Sequence, residues 1–127
     1  MTVFKTSDIA ACGLNCGRCG ARFRKKNPCP GCRAMGTKVR SVWFTTCQMR
    51  NCTLRKKPHC GGCGAYPCTK LKALEKRYGT KYATRLFDNL AFIRLNGIRR
   101  FLAKEEADHV RDGSVRCMHS GKWCLPP

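Results

Sequence analysis

Ten of the twelve cysteines lie between residues 12 and 68, and they constrain the fold more than any other feature of the chain. Large aliphatic residues are scarce in this segment, whereas glycine and proline recur every few residues. So little apolar surface does not offset the entropy that is lost when such a segment becomes ordered. We therefore predict that metal coordination or disulfide bonds hold this half of the protein together.

The compartment decides between these two kinds of bond. The first eleven residues include Lys5 and Asp8 and lack an apolar run of about seven residues, so we expect no export signal. No stretch approaches the roughly 20 apolar residues of a membrane span. Thiols stay reduced in the cytoplasm and are available to bind metal, which leaves disulfides as the less favoured alternative. We predict a cytoplasmic metal-binding protein without a membrane segment.

The spacing of the cysteines predicts zinc, with about two ions. Two C-x2-C pairs can complete one tetrahedral site, because each pair brings two sulfur atoms to the same metal. The pairs at 16–19 and 29–32 form a natural first site, with Cys12 as a fifth candidate ligand. The second site has five cysteines for four positions, and the spacing leaves the spare one open. The candidate ligands are Cys12, Cys16, Cys19, Cys29, Cys32, Cys47, Cys52, Cys60, Cys63 and Cys68.

Other thiolate chemistries remain open. An iron–sulfur cluster is the alternative cofactor, and Cys12-x3-Cys16-x2-Cys19 has the spacing of radical S-adenosylmethionine enzymes. The chain lacks the alternation of strands and helices that those enzymes, or a thioredoxin-type redox site, require. Near the C-terminus a candidate third metal site consists of Cys117, His119 and Cys124.

The charge of the chain points to a polyanionic partner. The formal net charge is +19, and Asp8 is the only acid before Glu75. Two four-thiolate zinc sites neutralise only a small part of this charge. We predict binding to RNA or to the ribosome, with Phe23, Trp43 and Phe44 available for stacking on bases. The candidate contacts to nucleic acid are Arg22, Arg24, Lys25, Lys26, Lys38, Arg40, Arg55, Lys56 and Lys57.

The patterning predicts a small α+β protein, in which an irregular, metal-stapled N-terminal half with few short strands precedes about three α-helices. Val39 to Thr46 is a candidate strand. A first helix follows Pro67 and stops at Gly79, a second runs from about Lys81 to Asn96-Gly97, and a third runs from Ile98 to about Val110, closed by Asp112-Gly113. We expect one compact domain with a cysteine-rich region (1–70), a helical region (71–112) and a Cys/His tail (113–127).

The cysteine segments resemble a known family. Cys12-Gly-Leu-Asn-Cys16, Cys29-Pro-Gly-Cys32 and the run from Cys60 to Leu71, which ends in Tyr-Pro-Cys-Thr-Lys-Leu, resemble a bacterial and archaeal cysteine-rich family called domain of unknown function 3795. The resemblance covers about residues 10 to 75 and implies zinc binding, with no assigned activity. Relatives of this pattern tend to have acids where this chain has Asn15, Ala65 and Thr69. These neutral positions favour a member adapted to a polyanion.

Two other function classes remain open. The sequence contains no supported catalytic set, because the region of highest cysteine density has no carboxylate to act as a base and no nucleophile has a supporting motif. We therefore expect a binding protein rather than an enzyme. A zinc-stapled adapter for protein–protein interactions is the alternative to RNA binding, and an iron–sulfur or redox protein is the third hypothesis.

Overall fold

The computed structural model describes residues 3–23, 52, 58–64, 66–82 and 84–125. Within them the chain forms short 3-10 turns, three α-helices and one three-stranded antiparallel sheet. The helices are α1 (Thr69–Tyr82), α2 (Leu86–Asn96) and α3 (Ile98–His109). The predicted small α+β class with about three helices is therefore confirmed, and no helix among the described residues is long and apolar enough to cross a membrane.

The first helix is longer than predicted, because it continues through Gly79 to Tyr82. A glycine inside a helix costs about 1 kcal/mol relative to alanine. Packing offsets this cost, since the rings of Tyr78 and Tyr82 lie 5.1 Å apart and the Thr84 backbone N–H donates to the Tyr78 carbonyl at 3.2 Å. The predicted start of the second helix near Lys81 was therefore wrong, and α2 begins at Leu86.

The break between α2 and α3 occurs at Asn96-Gly97, where the sequence predicts the end of the second helix. Gly97 has φ of 89°, in the left-handed region that glycine adopts without strain. Its backbone N–H donates to the Ile93 carbonyl at 2.8 Å, and α3 begins at the next residue. The break is therefore built by the residue type that the sequence places there.

The strands found among the described residues lie near the C-terminus, as β1 (Val110–Arg111), β2 (Ser114–Arg116) and β3 (Trp123–Cys124). Asp112 and Gly113 form the two-residue turn between β1 and β2, with φ of 52° and 79°. Asp-Gly is the residue pair that such hairpin turns prefer. We had predicted that this pair simply closes the third helix; it also starts a hairpin. The candidate strand from Val39 to Thr46 lies outside the described residues.

Most of the buried apolar side chains among the described residues fall into two clusters. The larger packs α1 and α2 against the N-terminal cysteine segment, and its members include Cys12, Cys16, Cys60, Leu71, Leu74, Tyr78, Leu86, Leu90 and Met118. The smaller packs α3 against the N-terminal segment and β2, and it consists of Phe4, Ile9, Phe101, Leu102 and Val115. The cysteine segment, the helices and the tail therefore share their cores.

A close approach at Gly13 places the first cysteine loop on α2. Gly13 has φ of 93°, and a Cβ there would lie 3.1 Å from Leu90 Cγ and 3.3 Å from the Leu86 carbonyl oxygen. The Asn89 side chain donates to the Gly13 carbonyl at 3.0 Å, and the Cys60 N–H donates to the Ala11 carbonyl at 2.7 Å. The loop that carries Cys12 therefore contacts both α2 and the segment that carries Cys60.

Candidate functional site

The two described C-x2-C pairs adopt the same local structure. Residues Cys16–Arg18 and Cys60–Gly62 each form a 3-10 turn. In both turns the second cysteine donates its backbone N–H to the carbonyl of the first, Cys19 to Cys16 at 3.2 Å and Cys63 to Cys60 at 3.0 Å. The Asn15 side chain caps the first turn by accepting from the Gly17 N–H at 2.9 Å. Equal spacing has therefore produced equal backbone geometry in two separate segments.

The predicted zinc ligands fall into three groups. Cys12, Cys16 and Cys60 are buried in the larger core, although the spacing predicts Cys12 and Cys16 in the first site and Cys60 in the second. Partly exposed positions are held by Cys19, Cys52, Cys63 and Cys68, while Cys29, Cys32 and Cys47 lie outside the described residues. Among the residues that the structure describes, no three His, Cys, Asp or Glu side chains form a group that could hold a metal ion. The thiol donors suit zinc chemically, and zinc binding stays a prediction.

The Cys/His tail is attached to the first cysteine turn by three hydrogen bonds. The Arg18 side chain donates from Nε to the Arg116 carbonyl at 3.1 Å. The Met118 N–H donates to the Arg18 carbonyl at 2.9 Å, and the Gly20 N–H donates to His119 Nδ1 at 3.0 Å. These bonds join residues about one hundred positions apart, so the tail is an integral part of the fold.

Cys117 is a buried thiol at the turn between β2 and β3. Burial alone would raise the pKa of Cys117, but hydrogen bonds from the Ser120 hydroxyl and from the backbone N–H groups of Ser120 and His119, together with the Arg18 charge, lower it below its usual value. Donors directed at a sulfur atom favour its thiolate. Cys124 is partly exposed on β3, where it pairs with Val115, and its thiol donates to the Lys122 carbonyl at 3.9 Å.

His119 is held in its neutral form. Burial and the nearby Arg18 charge lower the pKa of His119. Since Nδ1 accepts the Gly20 N–H, the ring proton is on Nε2. The ring also packs edge-on against Tyr82 with the centroids 4.6 Å apart. In this arrangement His119 joins the tail to the first cysteine turn and to the end of α1.

The solvent-facing side of α1 is positively charged along its length. Its core-facing side consists of Leu71, Leu74 and Tyr78, and its only acid, Glu75, is buried with them. Glu75 accepts from Arg85 Nε at 2.9 Å and from the Phe87 N–H at 3.0 Å. Every charged side chain that α1 exposes is therefore a cation, namely Lys70, Lys72, Lys76, Arg77 and Lys81.

Most of the seven acids in the chain form hydrogen bonds or ion pairs with other residues of the fold. Asp8 accepts the Lys5 N–H at 2.8 Å, and Glu106 accepts the Val3 N–H at 3.0 Å. Asp108 pairs with Lys104 at 3.0 Å, one helical turn away on α3. Glu75 and Glu105 are buried, and only Asp88 and Asp112 remain as exposed acids beyond these. The burial of Glu75 and Glu105 therefore leaves the exposed part of the described residues more positive than their composition alone indicates.

Glu105 is the centre of a buried polar cluster. Its carboxylate lies 3.9 Å from Arg18 Nη1 and 3.5 Å from His109 Nε2, and it accepts from Asn15 Nδ2 at 3.4 Å. Burial raises the pKa of Glu105, which Arg18 and Asn15 oppose. Burial and the Arg18 charge lower the pKa of His109 to about 4, so His109 is neutral at pH 7. The cluster therefore joins the first cysteine turn to α3 with one positive and one negative side chain.

The predicted contacts to nucleic acid fall almost entirely outside the described residues. Arg22 lies in the turn Gly20–Phe23, and Phe23 is partly buried against the smaller core. Outside the described residues are Arg24, Lys25, Lys26, Lys38, Arg40, Arg55, Lys56, Lys57, Trp43 and Phe44.

Sequence reasoning missed the cationic face of α1, although the spacing of lysines and arginines in the first predicted helix indicates it. The apolar positions of the predicted first helix define one side, and the lysines and arginines occupy the positions between them.

Comparisons with protein-family models, with curated proteins and with solved structures found no match to this chain.

Proposed function

We propose that the protein binds RNA through the exposed cationic face of α1, mainly by contacts to phosphates. The observation that carries this proposal is the orientation of charge on α1: five exposed cations and one acid that is buried and paired. Contacts to phosphates provide most of the affinity of sequence-independent binding to nucleic acid. The net charge of +19 also attracts RNA over longer distances.

The dimensions of α1 suit a nucleic-acid strand. From Lys70 to Lys81 the helix rises roughly 16 Å, at about 1.5 Å per residue. Phosphates of one strand recur about every 3.4 Å along a duplex axis, so this length meets roughly four or five of them. At about 100° per residue, Lys70, Arg77 and Lys81 form one row along the helix, and Lys72 and Lys76 form a second row roughly 140° away around its axis. The row of Lys70, Arg77 and Lys81 is a track of cations rather than a point charge, and the second row adds positive charge at the other edge of the exposed side.

The test is a triple substitution on α1. Lys70→Gln, Lys76→Gln and Arg77→Gln together remove three exposed cations without touching the buried side of the helix. Each lost phosphate contact lowers the steepness of the salt dependence by about 0.7 for a single strand, so the slope of log K against log salt should fall by about 2. The affinity for a mixed-sequence, 5′-hydroxyl single-stranded RNA should fall roughly tenfold or more at 0.15 M salt. Fluorescence anisotropy over a salt series measures both quantities.

A matched control removes the same charge elsewhere. Arg94→Gln, Arg99→Gln and Arg100→Gln also remove three exposed cations, from the end of α2 and the start of α3. We expect a much smaller loss of affinity, because these residues are not part of the α1 face. Equal losses in the two triple variants would show that only net charge matters and would contradict the proposal.

We also propose that the protein binds zinc and that it belongs to the domain of unknown function 3795 family. The C-x2-C turns and the buried Cys12, Cys16 and Cys60 support a thiolate-rich site that orders the N-terminal half. Native mass spectrometry of anaerobically purified protein should find zinc and lose it, with loss of folded structure, on chelation. Bound iron with a brown colour would favour the iron–sulfur hypothesis. A stable complex with another protein, without RNA binding, would favour the adapter hypothesis.

A further inference from the structure

A cavity of about 550 Å³ lies between the end of α1, the second half of α3 and the C-terminal tail. This volume falls within the range of pockets that hold small ligands. The walls come from Tyr82 and Arg85, from Lys104 and His109, and from the tail segment 116–121, with Arg18 entering from the first cysteine turn. The cavity is therefore assembled from parts of the chain that are distant in sequence.

The charges around the cavity are mostly positive. The cationic residues that line it are Arg18, Lys81, Arg85, Lys104 and Arg116. Three acids balance part of this charge: Glu105 faces Arg18, Glu75 pairs with Arg85, and Asp108 pairs with Lys104. Lys81 and Arg116 belong to none of these three pairs and leave the lining with a positive excess. A cavity with this balance favours an anion.

Arg18 is fixed in the wall as a donor group. Its Nε donates to the Arg116 carbonyl, and its own carbonyl accepts the Met118 N–H. These contacts, together with Glu105 near Nη1, involve two of the five N–H donors of the guanidinium group. Arg116 follows on the same segment with an exposed side chain. Arg18 and Arg116 both line the cavity, and guanidinium donors suit the oxygens of a phosphate.

Another wall of the cavity is aromatic. Tyr82 and His119 pack edge-on with their centroids 4.6 Å apart, and both line the cavity. Aromatic rings of this kind can pack against the ring system of a ligand. We propose that this cavity binds the phosphate monoester of a nucleotide, with the phosphate near Arg18 and Arg116 and the base against Tyr82.

The test uses the purified full-length chain and adenosine 5′-monophosphate as the probe. Isothermal titration should show saturable binding of this nucleotide, at least fivefold tighter than that of adenosine or of inorganic phosphate. Arg116→Gln should weaken it at least fivefold, since an arginine–phosphate contact is lost. The matched control is Arg111→Gln, at an exposed arginine on β1 that stacks over Trp123 at 5.1 Å and does not line the cavity. It should change the affinity less than twofold.

Three results would overturn this proposal. They are the absence of saturable binding to the wild-type chain, equal losses in Arg116→Gln and Arg111→Gln, and inorganic phosphate binding as tightly as the nucleotide. Circular dichroism of both variants confirms that they are folded, and both residues are exposed. Tyr82→Leu, measured in the same way, should weaken the nucleotide and leave inorganic phosphate unchanged. An equal effect on both ligands would contradict the assigned place of the base.

A 5′-phosphorylated RNA oligonucleotide distinguishes a free nucleotide from a strand end as the source of the phosphate. If a strand end occupies the cavity, the 5′-phosphate tightens RNA binding and Arg116→Gln abolishes that gain. If a free nucleotide occupies the cavity, the 5′-phosphate does not change the affinity for RNA, and adenosine 5′-monophosphate still binds. The cavity and the α1 face share Lys81, but Lys70, Lys76 and Arg77 lie outside the cavity walls. Their triple variant should weaken RNA and leave the affinity for the nucleotide unchanged.

Discussion

Helices α1 and α3 are similar in length and both carry several cations, yet they present different charges to solvent. On α1 the single acid, Glu75, is buried and paired with Arg85, a residue beyond the helix. On α3 the acids include Asp108, which pairs with exposed Lys104 on the same helix. The exposed side of α1 is therefore cationic throughout, whereas that of α3 is mixed. The direction in which the acids point, rather than the number of lysines and arginines, sets the charge that each helix presents to solvent.

The largest expected effect concerns the buried acid of α3. Glu105→Ala removes the carboxylate that faces Arg18 and His109, and it leaves the Arg18 charge largely buried with the side chain only 11% exposed. Loss of one member of a buried ion pair costs about 3–5 kcal/mol. We expect a loss near the lower end, about 3 kcal/mol, because the two groups are 3.9 Å apart. Urea unfolding measures it.

Glu106→Ala is the control on the same helix. Glu106 is partly exposed and accepts only the Val3 N–H among the contacts above, so we expect less than about 1 kcal/mol. Equal losses in the two variants would contradict a structural role for the buried acid.

The second effect is a pH dependence from His109. A free histidine titrates near pH 6.5, whereas burial and Arg18 lower the pKa of His109 to about 4. Between these values the unfolded chain binds a proton that the folded chain excludes, so stability falls as the pH falls. We expect a loss of about 1 kcal/mol between pH 7 and pH 5, after allowing for solvent screening of a partly exposed ring. Urea unfolding at both pH values measures it.

His109→Gln isolates this contribution, because it keeps a polar side chain and removes the titration. Its stability should fall less than that of the wild type between the two pH values. The same fall in both proteins would contradict the assignment to His109 and would point to another titrating group.

The third effect concerns the acid of α1. Glu75→Gln keeps an oxygen that can accept from the Phe87 N–H but removes the charge that pairs with Arg85. We expect a loss of about 1 kcal/mol in unfolding free energy. The affinity for RNA should change less than twofold, since the carboxylate lies on the buried side of α1. A tenfold gain in RNA affinity would show that the Glu75 charge affects binding at the exposed side of α1, and it would weaken the contrast between α1 and α3.

The smallest effect is expected at the exposed pair of α3. Asp108→Asn breaks the contact with Lys104, in which both side chains are about half exposed. Such pairs contribute about 0.5 kcal/mol or less. Thermal unfolding at low and high salt measures the difference, which should shrink as salt is added. A salt-independent loss above about 1 kcal/mol would contradict the description of α3 as a surface of compensated charges.

Local signals in the sequence predicted much of the helical region. Asn96-Gly97 correctly marked the break between α2 and α3, because a left-handed glycine is a local requirement. The apolar spacing of Leu71, Leu74 and Tyr78 correctly identified the buried side of α1. Gly79 misled the prediction, since the helix continues past it to Tyr82, whose ring packs against Tyr78 and against His119 of the tail.

The candidate binding surfaces depend on contacts between distant parts of the chain that no local sequence pattern reveals. The attachment of the tail joins Arg18 and Gly20 to residues 116–119, and the cavity exists only because of this attachment. The cationic face of α1 also became visible only when Glu75 was found on the buried side. The predicted zinc count and most predicted RNA contacts stay predictions, because they fall wholly or partly on residues outside the described ranges.

The most direct test of the contrast between α1 and α3 is an NMR titration of isotope-labelled protein with a mixed-sequence single-stranded RNA. The account predicts that the largest shifts of backbone amide resonances occur at Lys70, Lys72, Lys76, Arg77 and Lys81, with small shifts along α3, and that added salt reduces them. Shifts centred on α3, or unchanged α1 resonances in a protein that binds the RNA, would contradict it.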